Sequence, residues 1–167
     1  MKKLLLILLC IPMIGFGQCI PNPQYIGAGI YPDSTTGLAD AYVGQAYYEV
    51  VTLIVPADSV LDIPTVGPTL TTYDSIVVTN VMGLPQNFAY DCNPSNCSFA
   101  GGASACMSVF STSNPTSSMV GFYPLIVEVT VYLSGIPIIG SYNTNDIIDD
   151  YHIQIIAITP TWDCING

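Results

Sequence analysis

Residues 122–133, FYPLIVEVTVYL, decide how this chain folds. Tyr123, Leu125, Val127, Val129, Val131 and Leu133 recur at every second position, with Glu128, Thr130 and Tyr132 between the later ones. Successive side chains of an extended strand leave opposite faces, so this spacing gives one apolar face and one wet face. Residues 150–158 repeat the pattern. Tyr151, Ile153, Ile155 and Ala157 are expected to point inward and Asp150, His152 and Gln154 to water. The isoleucines and the tyrosine of 147–158 fit period two better than a helical period. Runs rich in Val, Ile, Thr and Tyr near 25–31, 45–55, 70–81, 86–91 and 105–110 extend the reading, punctuated by thirteen prolines and fourteen glycines. About seven short strands with no helical interval predict an all-β chain folded as an antiparallel sandwich. Pro137–Ile139 followed by Gly140 reads as the turn of a long hairpin between the last two strands. No internal repeat or linker-like tract interrupts the chain, so one domain is expected over residues 18–167.

Residues 1–17, MKKLLLILLCIPMIGFG, carry two lysines, an apolar stretch from Leu4 to Ile14 and small residues at Gly15 and Gly17. That is the pattern of a secretory signal peptide cleaved after Gly17. The run is short of the roughly 20 residues a membrane anchor needs. A lipoprotein would acylate Cys19, but Gln18 before it suits that processing poorly. Secretion, to the extracellular space or the cell surface, is the expectation.

With the leader gone, residues 18–167 hold all twelve carboxylates and no Lys or Arg, since Lys2 and Lys3 are the only ones in the sequence. Such a surface has nothing with which to neutralise phosphates, so nucleic-acid and anionic-membrane partners are excluded. Chemistry that requires a lysine falls with them. Trypsin, whose pocket requires Lys or Arg, is expected to leave the mature chain whole even when denatured. Discrete tryptic fragments from 18–167, seen by mass spectrometry, would refute the processing or the reading frame.

Five cysteines remain after cleavage, and export makes disulfides their default fate. Cys92, Cys97 and Cys106 share the loop DCNPSNCSFAGGASAC. The expected pairing is Cys92–Cys97 or Cys97–Cys106 locally, with the remaining loop cysteine reaching Cys19. Cys164 is then free or intermolecular. A zinc site needs four ligands, and His152 is the only histidine.

Three stretches carry a family resemblance: IYPDSTTGLADAYVGQAYYEVVTLIVPADSV (30–60), MGLPQNFAYDCNPSNCSFAGGASAC (82–106) and NPTSSMVGFYPLIVEVTVYL (114–133). Together they resemble the Ig-like, cadherin-like modules of the putative-Ig type found in secreted Bacteroidota-type surface proteins. The shared signals are Gly83-Leu84-Pro85 at a strand entry, Pro115-Thr116 at a turn and Gly121-Phe122-Tyr123 opening a strand. Gly121 is expected to adopt a positive backbone angle, and Asn87 to stand where relatives often have glycine. The resemblance implies an Ig-like sandwich acting in adhesion or surface assembly. Members often continue into a C-terminal type IX sorting domain. None is visible in this sequence, which leaves a released protein, a fragment of a longer one or a subunit held by partners as the expectations.

The candidate chemistry is sparse. Asp150 and His152 form the one carboxylate–imidazole pair on a strand face, and two solvated residues are the expected reading, so no catalytic residue is assigned. Asp149 and Asp150, being adjacent, face opposite sides and cannot serve as a glycosidase pair. No cofactor is expected. Calcium is the one inorganic ligand weighed, but Asp33, Asp40, Asp58, Asp62 and Asp146 are scattered and no calcium-loop motif appears, so no metal site is assigned. Asp33-Ser34-Thr35, Asp58-Ser59-Val60 and Asp74-Ser75-Ile76 resemble an O-glycosylation acceptor of the same bacterial group, making Ser34, Ser59 and Ser75 candidates. Tyr47, Tyr48, Tyr73, Tyr123 and Tyr142 are candidate ligand-contact aromatics, since phenol rings stack on sugars and are common at interfaces. The sequence therefore predicts a non-catalytic adhesion or assembly module with protein or glycan partners and a capacity for self-association. A carbohydrate-binding accessory module of a polysaccharide-degrading system is the alternative.

Overall fold

The computed structural model describes residues 18–64 and 66–158, so the leader and Cys164 lie outside the described residues. The fold is all-β, and its antiparallel sheets do not close into a barrel, as expected of a sandwich. Among the described residues there are twelve strands, where the sequence predicted about seven, and a single 3-10 turn at Ser117–Met119. The first sheet has the order β1(Gly29–Tyr31), β3(Tyr48–Ile54), β8(Ser104–Ser111), β6(Phe88–Asn93). The second has the order β11(Gly140–Ile148), β10(Ile126–Ile136), β5(Gly67–Met82), β4(Asp58–Ile63), with β7(Ser98–Ala100) also on β5. A small third sheet orders β2(Ala41–Tyr42), β12(His152–Ile156), β9(Gly121–Pro124), and its β2–β12 pair is parallel.

The period-two stretch behaves as read: Leu125, Val127, Val129 and Leu133 are buried, with Tyr123 and Val131 half-buried. It is nevertheless two strands, not one. β9 belongs to the third sheet and β10 to the second, and the chain changes sheets at Leu125, whose N–H donates to the Tyr151 carbonyl (2.9 Å). A strand can pass between layers this way because both packings bury the same face. The hairpin prediction needs a matching correction. The turn at 137–139 joins β10 to β11, while β12 pairs with β9 and β2. Ile153 and Ile155 are fully buried, but Ala157 is exposed, because β12 ends at Ile156.

β5 is sixteen residues long and its ladder with β10 slips twice, leaving Asp74 and Thr79 as extra residues. Such bulges add twist and let a long strand curve over the core. Asp74 is fixed there by Ser134, whose hydroxyl donates to the carboxylate (2.7 Å). The main core gathers side chains of all three sheets, including Val109, Phe99, Leu125, Ile153 and Ile155. A smaller cluster of Ile63, Leu133 and Ile136 supports the β4–β5 and β10–β11 hairpins.

Strand register explains the cysteines. Partners across a ladder share a face. Cys92 pairs with Met107 and Val51 also pairs with Met107, all in the core, while Cys106 pairs with Thr52 and Asn93 on the opposite face. Cys106 therefore points away from the core, and the N-terminal segment covers it. Cys19 bonds to Cys106, the Asn93 amide donates to the Cys19 carbonyl (2.9 Å), and the Asn22 N–H donates to Thr52 Oγ1 (2.9 Å). Cys92 bonds to Cys97 five residues on. A thiol already in a disulfide cannot carry an acyl anchor, which removes the lipoprotein reading of Cys19.

Two turn residues separate the glycine expectations. Asn87 has φ 62°, the left-handed position predicted for it, and Gly83 has φ 85°. Gly121 is not in the positive-φ region. It opens β9 as ordinary extended chain, so that part of the reading is corrected.

Candidate functional site

The acid–base candidates stay apart. Asp149 and Asp150 lie in the connection before β12, not on a strand, and both are exposed. His152 is half-buried and stacks on Phe122 (4.3 Å between ring centroids), with no hydrogen bond to Asp150. Its ring packs as an aromatic against Phe122. The calcium candidates are equally dispersed. Asp33 caps a turn, Asp40 precedes β2, Asp58 and Asp62 lie on β4 and Asp146 on β11, and no three metal-ligating side chains converge among the described residues.

The five tyrosines do not form one surface. Tyr47 is buried at 6% exposure in the core beside Phe88, so it cannot touch a ligand and that candidacy is withdrawn. Tyr73 packs into the core and Tyr142 against the smaller cluster. The Tyr123 hydroxyl donates to the Met119 carbonyl (2.9 Å). Tyr48 alone is largely exposed. The Tyr47 hydroxyl has no hydrogen-bond partner among the described residues, and burial, with smaller repulsion from Glu49 and Asp40, pushes its ionisation far up. A buried hydroxyl without a partner forfeits its hydration. Tyr47→Phe is therefore expected to stabilise the protein by about 1 kcal/mol, read by urea denaturation. A loss of stability would mean that the hydroxyl has a partner.

The serines also divide. Ser34 is exposed in a turn where the Asp33 carboxylate accepts from the Thr36 N–H and the Thr35 hydroxyl (both 2.8 Å). Ser75 is half-buried on the outer face of β5 opposite Tyr132. Ser59 pairs with buried Thr71 and so shares the inner face of β4 with Leu61 and Ile63, the least suitable place for a sugar.

Two surfaces that the sequence reading did not single out emerge from the pairing. The first is the outer face of the second sheet. Register places Val60 beside Leu70, 64% and 62% exposed, and exposed Ile138 and Ile139 form the tip of the neighbouring hairpin. Further along the same face lie Asn80, Thr130, Tyr132, Asn143 and Asn145, all uncharged, with Thr130 donating to the Asn145 side chain (2.8 Å). Glu128 is the charged residue of that ladder on this face, while Asp146 of the same ladder pairs with inward Val129.

The second is a cleft of about 280 Å³ between the first and second sheets, walled by Val51, Val109, Ile76, Val78, Val129 and Val131 among others. Edge strands β1 and β11 both contribute, through Gly29 and Ile30 and through Asp146 and Ile148, so the cleft reaches the surface between two edges. Among the described residues Asp146 is the one charged lining residue, and Tyr73 and Tyr151 supply phenols, the latter donating to the Pro32 carbonyl (2.9 Å).

Two carboxylates have shifts of opposite sign. Hydrogen bonds from Thr36 and Thr35 hold Asp33 below the usual carboxylate range, whereas burial raises Glu49. Asp33 therefore adds stability above its unfolded pKa that is lost as pH falls through its lowered folded value. Glu49 adds stability below its unfolded pKa that is lost as pH rises through its raised one. Repulsion among carboxylates without cations acts in the same direction as Glu49. Stability is thus expected to peak at about pH 4–5, not at neutrality. Melting scans across pH test this, and Glu49→Gln should raise the melting temperature near neutrality and leave it unchanged at about pH 3. A maximum at neutral pH would contradict it.

No family model, no curated protein and no solved structure matches the chain. What the fold defines is a class: an all-β, doubly disulfide-bonded sandwich of open antiparallel sheets. Two disulfides suit an oxidising, extracellular environment, and among the described residues no helix is long and apolar enough to cross a membrane.

Proposed function

We propose that this chain is a secreted, non-catalytic, Ig-like module that works by adhesion or assembly at the cell surface, binding a protein, a glycan or further copies of itself. The observation that carries the reading is the exposed apolar group Val60, Leu70, Ile138 and Ile139 at one end of the second sheet. Clustered exposed aliphatic side chains mark contact surfaces. With Asp58 and Asp62 beside Val60 on β4, the group has the apolar centre and polar margin of an interface.

The test is retention of the labelled exported protein on the cells that produce it, together with sedimentation of the protein alone. Val60→Asn with Leu70→Asn should reduce retention or self-association at least about tenfold while changing stability by under about 0.5 kcal/mol. A wild-type protein that neither associates with itself nor stays on cells would overturn the reading, as would a double variant that behaves like wild type.

The uncharged amide and hydroxyl face around Tyr132 favours the second reading, a carbohydrate-binding accessory module. Sugars are bound by aromatic faces and neutral hydrogen-bonding groups. A glycan array should then show binding that is lost in Tyr132→Ala and Asn143→Ala and kept in the Val60 and Leu70 variants. Absence of glycan binding, or binding insensitive to Tyr132, removes it.

A further inference from the structure

We propose that the cleft between the two main sheets is a binding site for an uncharged hydrocarbon ligand, such as a medium-chain alcohol or the acyl chain of a neutral lipid. The walls face inward by register yet do not fill the space between them. Val78, Val81, Val131 and Ile148 lie on the core side of their strands and remain only half-buried. A dry apolar cavity of about 150 Å³ already takes up benzene, and this one is about 280 Å³. Small-molecule sites combine such a lining with very few polar groups. Here, among the described residues, those groups are the phenols of Tyr73 and Tyr151 and, at the β11 edge, the Asp146 carboxylate, which already accepts from the Ile147 N–H (2.9 Å).

The same residues set the ligand's charge. A fatty-acid carboxylate would bring a second anion against Asp146, and residues 18–167 contain no Lys or Arg to compensate it. A hydroxyl headgroup instead donates to that carboxylate. The mouth between β1 and β11 therefore selects a neutral amphiphile over an anionic one of equal chain length.

The uncharged fluorophore N-phenyl-1-naphthylamine, titrated into the exported protein, tests this. Expected is saturable binding of one probe per chain, displaced by 1-decanol at least about tenfold more effectively than by decanoate. Val131→Phe and Val78→Phe, which fill the cleft from adjacent strands, should each weaken the probe at least about tenfold without lowering the melting temperature. Asp146→Asn lies at the rim and should let decanoate compete. No saturable binding, as when another segment of the chain already occupies the space, would overturn the proposal. So would undiminished binding in whichever filled variant folds. Equal displacement by decanol and decanoate, or an Asp146→Asn protein that still excludes decanoate, would overturn the charge selection.

Discussion

Replacing Cys19 and Cys106 together by alanine is expected to cost about 4–5 kcal/mol of stability, against about 2 kcal/mol for the Cys92 and Cys97 pair. The difference follows from loop length. One bond closes a separation of 87 residues and the other a separation of 5. A cross-link stabilises mainly by removing freedom from the unfolded chain, and that freedom grows with the logarithm of the loop. The longer bond also holds the N-terminal segment over Thr52 and Cys106, both at most 1% exposed. Its loss should uncover them and free the Asn22 and Asn93 hydrogen bonds. A fall in melting temperature on the order of 15 °C is the calorimetric expectation. Equal losses for the two pairs would contradict both the connectivity and the stapled segment.

The second large effect is Gly83→Ala, expected to cost about 3 kcal/mol. Gly83 has φ 85°, which L-residues adopt only with strain. An added methyl group would also run into the Pro124 carbonyl and crowd the Leu125 backbone, where the chain crosses from β9 to β10. Neither neighbour is a flexible side-chain end, so the crossing itself must move. Gly140 is the control: its φ is 82° and no atom lies within 4 Å of the added group. Gly140→Ala should therefore cost only the conformational share, about 1–2 kcal/mol. Guanidinium titrations that return the same loss for both variants would show that Gly83 does not approach Pro124 as described.

The elements missing from the sequence reading share a physical character. Residues 58–63, DSVLDI, look like a turn because Asp and Ser favour local side-chain hydrogen bonds. They are held as β4 by pairing with the first half of β5. Residues 140–148, GSYNTNDII, carry Gly, Ser, two Asn and Asp, which favour turns, yet they form edge strand β11 through a ladder with β10 nine residue pairs long. In both cases a neighbour's backbone outweighed weak local propensity, as it does for edge strands. Tyr47 was misassigned for a related reason. A tyrosine next to another tyrosine reads the same in either register; the β3–β8 ladder begins at Tyr48, which is exposed, and Tyr47 just before it is buried. Tyr132, by contrast, lies on the wet side of its strand as the alternation predicts, but the residues beside it, Asn143 of β11 and Ser75 of β5, come from other stretches of the sequence.

By itself the sequence determined the all-β class, the inward face of residues 123–133, the anionic character of 18–167 and the presence of disulfides. Each of these depends on composition or on a period of two, and both are properties of the local chain. Tertiary structure decided between the two expected cysteine pairings, and it alone decided where one strand becomes two and that the facing sheets stop short of filling the space between them. Those depend on which distant strands pair and in what register. A slip of one residue exchanges every inward side chain for an outward one without altering the sequence pattern at all.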